Sequence, residues 1–577
     1  MRTRTTRLRG LVAIAAVSVL ALSACGESGG GGEKGPESSP GFAECEQKPN
    51  ECNSGPTKEG GSITVMSEKQ VQDWNTISSD GNTADTTVIT NLMYPTPFFS
   101  KPNGEIGWNE DLLVEEPKLV KNDPQTFQYK IKPAAVWNDG TQITVKDFQY
   151  HWKAANGKDC AECDVASSTG YDMIEKIEGA DSDKTVTVTL KAGETYPDWK
   201  GLFTLFPSHI AAQQGDLNTP EGLKKAFEYF RGAPNWSGGP FIMEKYDKDV
   251  SAVLTRNPKW FGKKTPLDKV TFRFITDQAQ HIPALRNQEV QVLNSQPSAD
   301  LVQQVSTLPG VNYNLSAGYA WEHFDFNLKN KYLAEKELRR AIFTATNRQE
   351  IIDKTVGIFY KKAAPLNNHN LMPGGPGYKD YITSTGQGAG NVEAAKKILT
   401  DAGYKIENNK LIGKDGQPIP PFRFKYTTGN TLRQQTGELW QAQLRQIGVE
   451  LTIEPITSLG GTLSSGDYDV IIFAWIGSSF IADNRALWRT GEESNYGSYS
   501  NPEVDKLLDA AARELDPTKM RDLFNQAGEL MAKDAYVLPL FQKPTFLAAY
   551  SQFLFIRNNP NNSGITYNVQ EWGEKLS

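Results

Sequence analysis

Residues Leu11 to Leu22 form an uncharged, largely apolar run, and no later stretch matches its length. Four arginines precede it (Arg2, Arg4, Arg7, Arg9), and Leu22-Ser23-Ala24-Cys25 closes it. A basic segment, a short apolar core and small residues at its end predict a secretory signal over residues 1–24. The run is too short to remain as a spanning helix. Residues 25–61 then carry many Gly, Ser, Pro and Glu and almost no apolar side chains. Such a segment cannot bury enough surface to offset the entropy of ordering it, so a flexible tether is expected there.

Periodic patterning starts at Ile63 and Val65, which alternate as in a strand. Phe127, Tyr129 and Ile131 alternate again, and Asp139-Gly140 after Trp137 is a hairpin turn signal. Thr144 with Asp147 three residues on resembles a capping box, opening a helix to about Ala155 with Phe148 and Trp152 on one face. In the second half, Asn391 caps a helix to Ala402 that Gly403 ends. An amphipathic helix is predicted over Gln434–Ile447, with Leu439, Trp440, Leu444 and Ile447 inward, and Gly448 stops it. Val449, Leu451 and Ile453 alternate, and Val470 to Trp475 reads as a buried strand. Helices follow from Pro502 and Pro517, capped by Asn501 and Asp516. Val537 to Phe541 is an extended return. Helices and strands in turn predict an α/β architecture.

About 515 residues follow the tether, more than one core accommodates, so two or three domains are expected. The formal charge is −7, and loss of the four arginines with residues 1–24 takes it to −11. An acidic body without basic clusters excludes nucleic acid as a partner and excludes surface binding to anionic lipid. Cys45, Cys52, Cys160 and Cys163 remain once Cys25 is set aside, an even number that favours disulfides in an oxidising compartment. Local pairing is the first choice, Cys45 with Cys52 and Cys160 with Cys163, although four cysteines allow three pairings. Cys160-Ala161-Glu162-Cys163 also fits a zinc knuckle or a redox pair by spacing, but no second such pair or nearby histidine pair supplies further ligands. The five histidines are scattered. No catalytic constellation is legible, so the chain is read as no enzyme, with no metal and no cofactor.

Leu22 to Cys25 resembles a bacterial lipobox. The resemblance implies cleavage before Cys25 and a diacylglyceryl group on its sulfur, which with a second acyl chain anchors stably. The expected location is the outer face of the cell membrane. Six further segments, in order, are similar to the family 5 extracellular solute-binding proteins, the peptide- and oligopeptide-binding lipoproteins of ABC importers. They are Trp137-Asn138-Asp139-Gly140-Thr141 with Thr144 to Phe148, Gly238 to Phe241, Arg256 to Phe261 with Pro266 to Val270, Leu338 to Ile342 with Thr346 to Arg348, Ala394 to Leu399 with Ala402 to Tyr404, and Leu444 to Val449. Gln142 departs from the proline usual in the first. The Cys160–Tyr171 insert and the segment Trp321 to Asn327 look most like actinobacterial members.

The resemblance implies a two-lobed periplasmic-binding-protein-like fold of type II, with an extra small domain and a hinge between lobes. Lobe I is expected to take residues 62–95, 236–318 and 545–577, the small domain 96–235, and lobe II 319–544. It also implies a monomer that captures a peptide or other small solute in the interlobe cleft and delivers it to a permease driven by partner ATPase subunits. Where the family's ligand contacts fall stand Asp73, Trp74, Tyr94, Tyr319, Trp321, Trp475, Gly477 and Ser478. Peptide-binding members place an aspartate for the peptide's α-amino group three residues after the equivalent of Trp475. Here that position is Ser478. Either Asp483, Asp73 or Glu322 replaces the aspartate, or the ligand lacks a free amine. The alternatives are a binder of a non-peptide solute, a non-transporting member that regulates cell-envelope glycolipid assembly, and, from a different class, a secreted hydrolase.

The anchor is directly testable. Cys25→Ala is expected to release the protein from the membrane or leave it uncleaved. Fractionation of the variant as a processed, detergent-requiring lipoprotein would overturn the lipobox reading.

Overall fold

The structure, a computed structural model, describes residues 38–492 and 494–576. The signal segment, Cys25 and residues 25–37 of the expected tether lie outside the described residues.

Ile63 and Val65 are buried in β1 (Ser62–Ser67), the strand that their alternation predicts. The small domain follows. Its strands β2 (Lys118–Asn122), β3 (Gln125–Lys130), β4 (Ile174–Ala180) and β5 (Thr185–Leu190) form an antiparallel sheet in the order β2-β3-β5-β4. Helix α1 (Val145–Ala155) packs on β4 and β5. Its capping box is complete: the Thr144 side chain accepts from Lys146 N–H, and Asp147 accepts the Thr144 N–H at 2.8 Å.

The chain then builds one ten-stranded mixed sheet. Its further strands are β6 (Phe241–Asp247), β7 (Ser251–Arg256), β8 (Lys269–Phe274), β9 (Val292–Ser295), β10 (Val311–Phe326), β11 (Phe422–Thr427), β12 (Leu451–Ile456), β13 (Val470–Ile476) and β14 (Val537–Tyr550). The order is β12-β11-β13-β10-β14-β9-β1-β8-β7-β6. Helix α2 (Thr431–Leu444) starts three residues before the expected Gln434, because the Asn430 side chain caps the Arg433 N–H. Helices α3 (Pro502–Ala511) and α4 (Pro517–Asp534) have the predicted caps and first-turn prolines.

Two strands run through both of the expected lobes. Val311–Ala317 of β10 pairs with Pro544–Tyr550 of β14, and Trp321–Asp325 pairs with Val537–Gln542. Between these halves the register breaks, from Ala317 to Trp321. A side chain on Gly318 would meet the Lys543 carbonyl oxygen at 2.5 Å, so the crossing is closest where no Cβ intervenes. Both strands run through the expected lobe boundaries at 318/319 and 544/545 without any linker. One apolar cluster follows the ladder through both halves, taking Leu315 and Phe546 as well as Phe324 and Leu538. It also holds Phe424 and Trp440, and another cluster holds Trp137, Phe148, Phe272 and Trp572.

The tether expected over 25–61 is too long. From Ser38 the chain is packed. Ser39 N–H donates to Tyr313 O at 2.9 Å, Asn314 Nδ2 donates to Ser38 Oγ at 2.9 Å, and Phe42 is buried. Arg557 Nε donates to Cys52 O at 2.7 Å. Few apolar residues are needed, because the cross-link and the hydrogen bonds to β10 hold the segment. The sulfurs of Cys45 and Cys52 are 2.05 Å apart, and those of Cys160 and Cys163 are 1.95 Å apart.

A seven-residue separation closes a short loop, for which loop entropy gives roughly 2–3 kcal/mol. Replacing Cys45 and Cys52 together by Ser is expected to lower unfolding free energy by about that amount. Denaturant titration of the two proteins checks it, and an unchanged midpoint would contradict it.

Candidate functional site

The strands β11 and β13 run parallel, β13 continuing past the end of β11, and the carboxyl ends of such strands are where α/β sheets place ligands. β13 ends in Trp475 and Ile476, followed by the loop 477–483. Trp475 lies opposite Trp321 on β10, and Gly477 N–H donates to Tyr319 O at 3.1 Å. Tyr319, Trp321, Trp475, Gly477 and Ser478 are thus brought together on two neighbouring strands.

The two faces of β13 differ. Trp475 is half-buried, its ring parallel to His323 on one side (centroids 6.1 Å apart) and Tyr496 on the other (5.9 Å). Its Nε1 is buried and has no partner among the described residues. Ile476, pointing to the other face, is 75% exposed, the most exposed of the large apolar side chains described. His323 is fully enclosed by Trp321, Phe473 and Trp475, and burial pushes its pKa down to about 3. It is therefore neutral and carries no charge toward a ligand.

The loop 477–483 reaches the region expected as the small domain. Ser479 Oγ donates to Gly104 O at 2.9 Å. A side chain at Gly201 would meet the Phe480 ring at 3.4 Å. Ala482 N–H donates to Asp198 Oδ2 at 2.6 Å, and Tyr196 Oη donates to Asp483 Oδ1 at 3.4 Å. Two cavities flank these contacts. One of about 590 Å³ lies between the small domain and lobe II, lined by Glu194, Tyr196, Asp483, Arg485 and Arg513 among others. The second, about 280 Å³, lies between lobe I and the small domain and is closed by Phe480, with Tyr94, Phe98, Trp260 and Tyr567 in its wall. The larger one is within the size range of small-molecule sites.

Several expected cleft residues stand elsewhere. Trp74 is 2% exposed and sits edge-on to Tyr246. Tyr94 donates to the Trp74 carbonyl at 3.0 Å and stacks on Trp236 at 4.5 Å, so only its edge reaches the smaller cavity. Trp321 is buried because β10 alternation turns Trp321, His323 and Asp325 toward the face that α3 and α4 cover. These side chains form the wall behind the cleft.

None of the three acids weighed as an amine partner is unengaged. Asp73 accepts from Ser78 Oγ at 2.6 Å and pairs with Arg231 at 3.1 Å. Glu322 is 1% exposed and bound by Arg433 through Nη2 at 3.0 Å and Nε at 3.1 Å, with Lys543 Nζ at 3.8 Å. Burial raises the Asp483 carboxyl above its usual range, beside Tyr196. The Ser478 hydroxyl is consumed within its own turn, donating to Phe480 O at 2.6 Å and accepting its N–H at 3.0 Å.

Sequence reasoning missed Arg433, Tyr496, Phe480 and Asp198. Arg433 lies in the first turn of α2, and only the cap at Asn430 marks that turn; the other three stand in loops without period. Among the described residues no group of three or more His, Cys, Asp or Glu could hold a metal ion, and no helix is long and apolar enough to cross a membrane.

The buried Glu322–Arg433 pair gives a sharp prediction. Glu322→Gln leaves a buried guanidinium without its counter-charge and is expected to cost about 3–5 kcal/mol of stability. Denaturant unfolding checks it, and a cost below about 1 kcal/mol, as for an exposed pair, would contradict it.

Comparison with known proteins places the chain among binding proteins. The sequence profile of the bacterial extracellular solute-binding proteins, family 5 middle region, matches residues 110–498. The oligopeptide-binding protein OppA of Mycobacterium tuberculosis (strain H37Rv) is 29% identical over 504 residues, covering 86% of this chain and 82% of OppA. Among solved structures, the periplasmic EDTA-binding protein EppA is 31% identical with a TM-score of 0.86, covering 91% of this chain and 98% of EppA. The oligopeptide-binding protein AppA of Bacillus subtilis, solved with a nonapeptide, has a TM-score of 0.73 at 21% identity, covering 90% of this chain and all of AppA (100%).

Proposed function

From its membership of the bacterial extracellular solute-binding proteins of family 5, to which the chain belongs, we propose that it captures peptides between its two lobes and hands them to a membrane permease. In this reading Cys25 carries a lipid anchor on the outer face of the membrane, and partner ATPase subunits supply the energy. The observation that carries it is the loop after β13. It leaves the aromatic end of that strand and touches the small domain at Gly104, Gly201 and Asp198 and lobe I at Asn561. A ligand seated beside Trp475 and Ile476 would therefore be enclosed by both lobes, and closure about β10 and β14 would present both to a permease. Peptide as the solute follows the oligopeptide-binding relatives.

A second reading is favoured by the acids around the cleft. Asp73, Glu322 and Asp483 are all engaged, and Ser478 is closed on itself. A free ammonium would find Asp73 and Glu322 already paired with cations and only Asp483 without one, and leaving the ammonium unpaired costs several kcal/mol. This favours a solute without a free amine, and the EDTA-binding relative is an example of a non-peptide solute.

Native mass spectrometry of the gently purified chain, followed by calorimetric titration with peptides and their N-acetylated forms, separates the two readings. Tighter binding of the free-amine peptides supports the first, and equal or tighter binding of blocked ones the second. Trp475→Ala is expected to weaken the bound solute roughly tenfold or more, since an aromatic anchor contributes about 2 kcal/mol. Because the same ring packs on His323, Phe473 and Tyr496, stability should fall by about 2 kcal/mol as well. Trp475→Phe keeps most of that packing. Full affinity in Trp475→Ala would remove Trp475 from the site.

A further inference from the structure

We propose that Asp198 is the positioning residue that latches the lobes shut: its carboxyl, on the small domain, receives the Ala482 N–H of lobe II across the cleft. This rests on the two-lobe closure described above but on no particular solute. The hydrogen bond is 2.6 Å long and wholly buried, and Asp198 is 7% exposed. The residue precedes a short turn, Trp199–Gly201, whose ring packs on Phe98 and Phe127, so its backbone is fixed to the small domain. The donor opens the turn Ala482–Asn484 in the loop that continues from β13. Any movement of the strand end beside Trp475 is thus passed to the latch over a few residues.

The surroundings make the latch sensitive to protons. Asp198 faces Asp483 of the same lobe II loop, the N–H groups of Ala482 and Ile481, and, at longer range, Arg521 of α4. Tyr196 lies beside it in sequence and bonds Asp483, and Tyr171 and Asp172 in turn face Asp483. Glu194 pairs with Arg513 at 3.3 Å along the same seam. Burial is the largest influence on Asp198 and raises its pKa to about 7; the N–H groups and Arg521 oppose it, and Asp483 adds to it. With the lobes apart, an exposed aspartate returns to about 4. The closed state therefore holds the proton more tightly. Its advantage is complete below about pH 4 and is lost as pH rises through about 7, by up to roughly tenfold per pH unit between. Asp483, also raised by burial, contributes with the same sign.

The test measures closure itself. Single-molecule energy transfer between dyes on the full soluble chain, at the exposed positions Val120 of the small domain and Lys506 of α3, reports lobe separation without added solute. In the parent protein the closed-to-open ratio is expected to fall at least tenfold from pH 5.5 to 7.5. Asp198→Asn keeps an acceptor for Ala482 but cannot ionise, so it should lose most of that dependence and stay closed at pH 7.5. Asp198→Ala should be open at both. Asp483→Asn removes the neighbouring charge and should move the midpoint to lower pH. A pH-independent ratio in the parent, or the parent's slope in Asp198→Asn, overturns the proposal. Failure to find a bound solute would count against the proposed function and leave this measurement unaffected.

Discussion

Everything in this molecule depends on the ladder between β10 and β14. These are the only strands among those described that pair within both halves of the ten-stranded sheet. Both halves of the ladder pack into one apolar core, through Leu315 and Phe546 in the first and Phe324 and Leu538 in the second, while the middle, from Ala317 to Trp321, is out of register. Backbone hydrogen bonds are dense on either side and interrupted between, so bending is easiest there. Gly318 allows the close approach to Lys543 at that break, and Gln542 Nε2 bridges it to Gly318 O at 2.9 Å. Two connections weakened at Ala317–Trp321 and again at Glu322–His323 permit rotation of the lobes while forbidding their separation, which is the mechanical requirement of a closing cleft.

Against that frame the charges of the cleft are arranged by burial. Glu322 is held by two cations where the ladder leaves the break, which fixes Arg433 and Lys543 near the strand ends. His323 is enclosed among aromatic rings and stays neutral. Asp325, two residues on, is pushed up to about 8 by burial, so it too is uncharged at neutral pH. The wall behind Trp475 is therefore aromatic and uncharged. The ionisable groups that do cross the cleft lie on its other rim, at Asp198, Asp483 and the Glu194–Arg513 pair. The proposed solute contact and the contact between lobes are thus carried by chemically different parts of one strand and its loop.

Local chemistry made much of the fold legible in the sequence. The capping box at Thr144, the caps at Asn391, Asn501 and Asp516, and the uniform apolar run of Val470 to Trp475 each act within a few residues, so they could be read without knowing any neighbour. The segment 38–61 could not. Its side chains are few and mostly polar, and it is ordered by partners such as Tyr313, Asn314 and Arg557, hundreds of positions away.

The site divides in the same way. Sequence by itself determined which strand ends in Trp475 and Ile476, because strand and loop differ in pattern. Only the tertiary structure decided which neighbours face the cleft. Trp74 and Trp321 carry the same kind of side chain as Trp475, yet they are buried, since burial depends on what packs over a face and not on residue type. Asp198 shows it most plainly. Nothing in its local sequence distinguishes it from any surface aspartate; its buried bond to Ala482 arises from a contact between residues 284 positions apart, which only the meeting of two lobes creates.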